Sequence, residues 1–188
     1  LTSRGCPYPC RFCVIPETNY RKWRFKSPKK VVDEIEYFKK KLSISEFHLE
    51  DVNPTINESR VKEICQELIN RKLNINWKIV AGTKVESIKD IKTIDLMAQS
   101  GCSYISISPE SGSKDLMKKI NKPFNIDHAY KIVNQMNKKR IFSQACFVFG
   151  FPGETEEDLK LTKKMIFNLA RKGIDEIAIF IITPIPGS

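Results

Sequence analysis

Residues 4–13 read Arg-Gly-Cys-Pro-Tyr-Pro-Cys-Arg-Phe-Cys, and this stretch decides between two folds that the rest of the chain would allow. Strand and helix patterns alternate after it, which indicates a parallel sheet with right-handed crossovers. A doubly wound sheet needs a glycine-rich phosphate loop after its first strand, whereas the short strand end at residues 1–3 runs into cysteines. With about six β/α units instead of the eight of a closed barrel, the sequence predicts an α/β fold that forms a partial (β/α)6 TIM-like barrel.

Five further strands are predicted, and polar residues follow most of them. In either architecture the chemistry lies beyond the carboxyl ends of the strands. We therefore expect the polar segments after the strands to meet at one edge of the sheet. The predicted strands are residues 44–50, 77–81, 104–108, 141–149 and 176–182.

Cys6, Cys10 and Cys13 have the spacing Cys-x-x-x-Cys-x-x-Cys. Three thiolates this close in sequence can surround a single soft metal centre. A structural zinc ion would need a fourth protein ligand, and neither histidine of the chain is near in sequence. A four-iron cluster on three cysteines leaves one iron open to a ligand. The spacing therefore predicts an iron–sulfur cluster.

The other three cysteines, Cys65, Cys102 and Cys146, are scattered singly along the chain. Cys65 falls on the apolar face of a predicted helix, Cys102 adjoins the start of a strand, and Cys146 lies inside an apolar strand. We expect all three to be core residues.

The cysteine spacing, with Phe12 just before the last cysteine, resembles the radical S-adenosylmethionine (SAM) superfamily, and the resemblance extends over nearly the whole chain. It implies a barrel of the radical SAM type, with residues 1–188 as one core domain that belongs to a longer chain. It also implies that SAM binds the open iron of a 4Fe–4S cluster through its amine and carboxylate. Reduction then cleaves SAM to methionine and a 5′-deoxyadenosyl radical, which abstracts a hydrogen atom from a substrate.

The same resemblance assigns candidate SAM contacts near the first strands. Phe12 matches the position that packs near the adenine. Glu50, with Asp51 as its substitute, matches the acidic segment that receives the methionyl amine; both acids could instead serve as helix-capping or loop residues. Lys84 and Arg24 are candidates for pairing with the SAM carboxylate.

Two later segments resemble the sugar and adenine sides of the family's SAM site. Glu110 is the candidate for the ribose hydroxyls, with Ser108 and Ser111 as neighbours, although Ser111 could simply cap a helix. Gly150 would let the cofactor approach the backbone closely.

Cobalamin-binding-type radical SAM proteins share the largest number of segments with this chain. The resemblance implies a possible use of cobalamin, through a domain outside the chain, in a methylation or rearrangement. The shared segments are residues 24–28, 50–51, 77, 110–113, 150–155 and 184–188.

The tRNA methylthiotransferases of the superfamily are the alternative. They share residues 4–6, 13–16, 111–113 and 150–155 with this chain. They typically carry glutamine, however, after the second strand and in place of Glu110. These departures favour the cobalamin-binding type.

The net charge of +10 leaves a nucleic-acid partner open. The segment from Tyr20 to Lys26 interleaves aromatic and basic residues, as RNA-binding segments can. We favour a solvated basic surface over nucleic-acid binding, and the hypothesis from another class is a non-catalytic metal- or RNA-binding module.

The remaining expectations concern location and partners. There is no apolar run long enough to cross a bilayer and no signal-peptide pattern, so we expect a cytoplasmic protein without a membrane partner. The resemblance implies an electron donor such as flavodoxin or ferredoxin. The sequence does not identify the substrate or the oligomeric state.

Overall fold

The predicted alternation of strands and helices is confirmed in the computed structural model, which describes residues 1–186. The last two residues of the motif at 184–188 lie outside this range. The strands are β1 Ser3–Arg4, β2 Arg24–Phe25, β3 Glu46–Leu49, β4 Asn76–Thr83, β5 Cys102–Glu110, β6 Phe142–Phe149 and β7 Glu176–Ile181. The α-helices are α1 Ile15–Thr18, α2 Pro28–Leu42, α3 Glu58–Asn70, α4 Lys92–Gln99, α5 Lys114–Lys119, α6 Ile126–Lys138 and α7 Glu156–Arg171.

Strands β3 to β7 form one five-stranded sheet in which every neighbouring pair is parallel. The strands follow each other across the sheet in sequence order. A doubly wound sheet reverses its strand order at a switch point, so the observed order agrees with the predicted partial barrel.

The first strand differs from the prediction, because it does not join the parallel sheet. Instead β1 pairs antiparallel with β2 in a separate two-stranded ribbon. The ribbon is fastened to the end of β3 by side chains. The backbone N–H of Thr2 donates a hydrogen bond to Asp51 Oδ1 (2.7 Å), and the hydroxyls of Thr2 and Ser3 donate to Asp51 Oδ2 (2.5 and 2.6 Å).

The sheet has two faces, because side chains alternate along each strand. The helix-facing face contributes buried apolar residues to the main core, among them Ile79, Ile105, Ile107 and Phe147. The opposite face, which we call the open face, is defined by Lys78, Tyr104, Ser106, Gln144 and Cys146. None of these five belongs to the apolar core.

The three single cysteines divide between these environments. Cys65 and Cys102 are buried in the core, as predicted. Cys146 is only half-buried and lies on the open face, where its thiol donates to Gln144 Oε1 at 3.3 Å. The prediction of a core residue was therefore wrong for Cys146.

Local sequence signals position the helices that lead out of the strand ends. Ser27 caps α2 by accepting the N–H of Lys30, with Pro28 in the first turn. Thr155 and Asp158 form the expected capping box of α7. These caps satisfy N–H groups that the helix leaves without a partner.

Strand β7 forms one edge of the sheet, and its apolar side chains Ile179, Phe180 and Ile181 are exposed. Across residues 1–186, the helices are all too short or too polar to span a membrane.

Candidate functional site

The side chains of Cys6, Cys10 and Cys13 line one cavity of about 210 Å³. The cavity lies at the carboxyl ends of β4 and β5, where a partial barrel is expected to carry its chemistry. Its remaining walls come from the cysteine loop, from three strand ends and from the segment after α5. The other lining residues are Tyr8, Phe12, Val52, Asn53, Ala81, Gly82, Thr83, Lys84, Ser108, Glu110 and Lys122.

The cysteine loop is held by backbone contacts on both sides. Gly5 has a φ of +82°, and a Cβ at this position would lie 2.1 Å from the carbonyl oxygen of Lys22. Only glycine fits such a contact. On the other side, the N–H of Arg11 donates to the carbonyl of Ile120 at the end of α5 (3.0 Å). The loop therefore presents its thiols from a fixed backbone.

Two opposing effects act on the thiols. Burial raises the pKa of Cys6 and of Cys10, while the cations of Lys122 and Lys84 lower it in both. The thiols of Cys6 and Cys10 are therefore neutral at pH 7 without a metal, and binding a metal must displace their protons. The two lysines favour the thiolate form that a metal requires.

Glu110 lies at the end of β5 as a buried carboxylate facing the cavity. Its backbone has a φ of +60°, a conformation that is strained for a residue with a side chain and that clusters at functional sites. The carboxylate forms an ion pair with the buried ammonium of Lys122, which also donates to the carbonyl of Ser108 at 2.8 Å. Lys122 Nζ lies 5.9 Å from the ring centroid of Phe12.

Lys122 is a site residue that the sequence analysis missed. It lies in the turn after α5, where a lysine would normally be solvated, and its burial depends on this turn folding back over the cavity. The local sequence offers one weak indication that this lysine is buried, which is its position between the end of a helix and a proline.

Asn53 is a second residue that was missed. Its Oδ1 accepts hydrogen bonds from the N–H of Thr55 (3.3 Å) and from the hydroxyls of Thr55 (3.0 Å) and Thr83 (2.8 Å). Because a backbone N–H can only donate, the N–H of Thr55 fixes which amide atom is the oxygen. The Nδ2 group is left for a ligand in the cavity that Asn53 lines.

Two predicted SAM contacts do not line this cavity. Asp51 is fully buried, and its carboxylate accepts the hydrogen bonds from Thr2 and Ser3 that fasten the ribbon. Ser111 is buried against α7, where its hydroxyl lies 2.9 Å from that of Thr162. Both side chains are engaged in holding elements together.

Three further candidates take different positions. Glu50 is exposed after β3 and is not among the residues that line the cavity. Lys84 lines the cavity, donates to the carbonyl of Pro123 (2.8 Å) and lies 5.4 Å above the ring of Tyr8. Arg24 is exposed on the ribbon, outside the cavity.

Gly150 and Phe12 line a second, more apolar cavity of about 580 Å³. The backbone of Gly150 has a φ of +87°, and its N–H donates to Glu154 Oε2 at 2.6 Å. The rings of Phe12 and Phe151 meet edge to face with 5.4 Å between their centroids. Phe12 lines both cavities, so the second cavity adjoins the cysteine cavity at this ring.

The cysteine cavity fits a cluster better than a single metal ion. Within residues 1–186, the His, Cys, Asp and Glu side chains do not converge in groups of three on one ion site. In a four-iron cluster each thiolate binds a different iron, and three cysteines around one cavity match that requirement. The adjacent cations suit a centre that carries several thiolates.

Comparison with protein families gives a match over most of the chain. The model of the radical SAM superfamily matches residues 1–166. An anaerobic magnesium-protoporphyrin IX monomethyl ester cyclase from Rubrivivax gelatinosus is 35% identical over 164 residues, covering 87% of this chain and 29% of the relative. A bacteriochlorophyllide d C-12(1)-methyltransferase from Chlorobaculum tepidum is 27% identical over 191 residues, covering all of this chain and 40% of the relative.

Among solved structures, the radical SAM methyltransferase TsrM from Kitasatospora setae, with cobalamin and a [4Fe-4S] cluster bound, has a TM-score of 0.84. It is 20% identical and the match covers 96% of this chain and 33% of that one. At this identity the likeness concerns the fold, and it supports the partial barrel. The chain spans less than half the length of each of these relatives.

Proposed function

The chain belongs to the radical SAM superfamily, and from this premise we propose that it binds a 4Fe–4S cluster through Cys6, Cys10 and Cys13 and cleaves SAM reductively. The observation that carries the proposal is the meeting of three thiols, a buried Glu110–Lys122 pair and the ring of Phe12 around one cavity at the strand ends. Members of the family are enzymes that use this cluster together with SAM.

The bound cluster supplies the electron that breaks the bond between the sulfur and C5′ of SAM. The chain's own residues bind and orient SAM. Three cysteines leave one coordination position of a four-iron cluster open for the methionyl group. We assign the cation of Lys122 and the Nδ2 donors of Asn53 to the methionyl carboxylate, because both groups border the cavity and both are donors.

Glu110 is assigned to the ribose hydroxyls, since a carboxylate accepts hydrogen bonds from two neighbouring hydroxyls. Ser108 borders the same wall. The second cavity, between Phe12 and Gly150, is assigned to the adenine, because a flat aromatic base suits an apolar space beside an aromatic ring. Glu50, Asp51 and Ser111 receive no direct SAM contact in this proposal.

The test is anaerobic reconstitution with iron and sulfide, followed by dithionite and SAM. We expect close to four irons per chain, a change in the EPR spectrum of the reduced cluster on addition of SAM, and formation of 5′-deoxyadenosine. Cys13→Ala is the matched negative control, and Cys65→Ala controls for a cysteine lost elsewhere. A folded, iron-loaded protein that neither cleaves SAM nor changes its EPR spectrum with SAM would contradict the proposal, and one zinc per chain would favour the metal- or RNA-binding module.

For the whole protein we propose cobalamin-dependent chemistry on an unidentified substrate, in the cytoplasm. Methyltransferases and cyclases are among the relatives, and the TsrM structure contains cobalamin. The test is titration of the full-length protein with hydroxocobalamin, followed by its absorbance spectrum. Absence of binding to a well-folded full-length protein would favour the tRNA methylthiotransferase alternative.

A further inference from the structure

The segment that contains the cysteine loop and the ribbon is rich in positive charge. Residues 1–24 contain five lysine and arginine residues and a single acidic residue, Glu17, so this segment carries a net charge of +4 of the chain's +10. A concentration of positive charge attracts acidic partners over about 8 Å at physiological salt.

Two of these cations are held in an arrangement that works against folding. In the ribbon of β1 and β2, Arg4 and Arg24 are directly opposite each other. Like charges at directly opposed positions destabilise a strand pair. Both side chains are exposed, and neither makes an ion pair with any described residue of the chain. Lys26 and Lys29, by contrast, are paired with Glu34 and Asp33.

The ribbon is connected directly to the proposed cluster ligands. Arg4 precedes Cys6 by two residues, and the intervening Gly5 lies against the carbonyl of Lys22. Arg21 and Lys22 are exposed beside this contact. We call Arg4, Arg21, Lys22 and Arg24 the cationic ribbon patch. The four side chains are exposed and form a positive surface that adjoins the cysteine loop.

We propose that the cationic ribbon patch is the docking surface for an acidic redox protein that delivers electrons to the cluster. The proposal rests on the proposed function, because reductive cleavage of SAM consumes one electron per turnover. The donor, a low-potential flavoprotein or iron–sulfur protein, loses one electron and the cluster gains it; no atom is transferred. Docking beside the loop that holds the cluster keeps the transfer distance short.

A nucleic acid is the other class of polyanion that such a patch would attract, and the aromatic residues argue against it. Single-stranded nucleic acids bind to free aromatic faces. Here the ring of Trp23 stacks on Phe25 with 4.4 Å between their centroids, and the guanidinium of Arg60 lies 5.7 Å from Trp23 and 5.6 Å from Phe25. One face of each of these two rings is therefore covered. Tyr20 is the aromatic side chain of this segment that stays largely exposed (83%). A single exposed ring is a much smaller stacking platform than the successive rings that bind single-stranded nucleic acid.

The test compares two reductants in the cluster-loaded protein. Reduced flavodoxin serves as the protein donor and dithionite as the small-molecule donor, and the readouts are the rate of cluster reduction, followed by absorbance, and 5′-deoxyadenosine. For the R4E/R24E variant we expect at least about a tenfold loss of the flavodoxin-driven rate at low salt and less than a twofold change with dithionite. The wild-type flavodoxin rate should fall steeply as salt is added.

The matched control is K163E/K164E, which changes the net charge equally at two exposed lysines of α7. We expect it to keep the flavodoxin-driven rate within twofold. Equal losses of the flavodoxin-driven rate in both double variants would show an effect of total charge alone and would overturn the proposal. So would a flavodoxin-driven rate that R4E/R24E leaves unchanged. An equal loss of the flavodoxin-driven and dithionite-driven rates in R4E/R24E would also overturn it. The single variant R24E replaces a repulsive cross-strand pair with an attractive one, so its thermal stability should not fall while its flavodoxin rate does.

A direct measurement of flavodoxin binding tests the docking surface independently of the proposed function. Labelled flavodoxin is titrated with the protein and followed by fluorescence anisotropy, a measurement that does not require SAM cleavage. Failure of the wild type to cleave SAM with dithionite would contradict the proposed function alone, whereas unchanged flavodoxin binding by R4E/R24E would contradict the docking surface alone. Tight RNA binding that R4E/R24E abolishes, without an effect on flavodoxin, would assign the patch to nucleic acid and overturn the proposal.

Discussion

The two faces of the five-stranded sheet have opposite characters, although the same strands supply both. On the helix-facing face, Ile105, Ile107 and Phe147 are completely buried. On the open face, Gln144 and Cys146 are half-buried and joined to neighbours by hydrogen bonds. The first face contributes the apolar burial that stabilises the fold.

The open face continues upward into the cysteine cavity. Ser106 and Ser108 follow each other on this face of β5, and Ser108 already lines the cavity. A bulge between Ile107 and Glu110 shifts the register at the strand end, where Glu110 takes its positive φ. Alternate residues of one strand therefore serve different purposes. Those that face the helices stabilise the fold, and those on the open face lead to the cavity where the chemistry is expected. Substitutions on the two faces should therefore affect different measurements.

The largest expected effect belongs to the cysteine loop. Cys13→Ser should reduce 5′-deoxyadenosine formation to the background, because a cluster with two thiolate ligands is not retained. The free energy of unfolding of the cluster-free protein should change by less than about 1 kcal/mol, as for most substitutions away from the core. Iron content, product analysis and urea unfolding measure the three quantities. Retention of four irons and of activity would remove Cys13 from the ligand set.

The next effect is on stability alone. Phe147→Ala on the helix-facing face should lower the free energy of unfolding by about 3–5 kcal/mol, because it leaves a cavity in the core. The same substitution at Phe142, which is 46% exposed on the other face and stacks on Tyr104, should cost no more than about 2 kcal/mol. Urea unfolding of both variants decides the point. Equal losses would abolish the distinction between the faces.

A third change should weaken SAM binding, and urea unfolding is measured beside it because the buried ammonium of Lys122 loses its counter-charge. Glu110→Gln removes the carboxylate that borders the cavity, and we expect the Kd for SAM to rise about 10- to 100-fold, as for the loss of a hydrogen bond to a charged group. The control is Glu176→Gln, at the exposed amino end of β7. Isothermal titration of the cluster-loaded proteins measures the Kd. An unchanged Kd for Glu110→Gln would exclude Glu110 from SAM binding.

Much of this arrangement could be predicted from local sequence. The strand and helix alternation gave the parallel sheet, and the rule that chemistry follows strand ends identified the segment around Ser108 and Glu110. The spacing of the cysteines predicted that their side chains would share one site. Each of these inferences needs only neighbours in sequence or a regular period.

The missed features depend on contacts between distant parts of the chain. Asp51 reads as a loop acid, and only its hydrogen bonds with Thr2 and Ser3, 49 and 48 residues away, reveal it as the anchor of the ribbon. Lys122 becomes a buried cation only because its turn folds over Glu110. No periodicity in the sequence encodes such contacts.

The wrong prediction for Cys146 arose because a buried polar residue obscures which side chains of β6 face the helices. Ser143 and Gln144 are adjacent and both polar, so the pattern does not say which of them faces the helices. The structure buries Ser143, whose N–H and hydroxyl donate to Asp175 Oδ2 (2.7 and 2.9 Å). Its burial is possible because these hydrogen bonds satisfy it. Cys146 then falls, with Gln144, on the open face.

The smallest expected effect compares a thiol of the apolar core, on α3, with a thiol of the open face through their response to pH. Burial raises the pKa of Cys65 to about 11, from about 9 for an exposed thiol. Between these two values the folded state binds more protons than the unfolded state, so this contribution is fully present below pH 9 and is lost as pH rises towards 11. By pH 10 the loss should be about 1 kcal/mol.

The pKa of Cys146 is also raised by burial, but this thiol is half-buried and hydrogen-bonded on the open face. Its contribution to the dependence of stability on pH should therefore be smaller. Urea unfolding at pH 8 and pH 10 of the wild type, Cys65→Ala and Cys146→Ala measures both parts. A larger change of slope in Cys146→Ala than in Cys65→Ala would mean that the open face is the more strongly desolvated of the two.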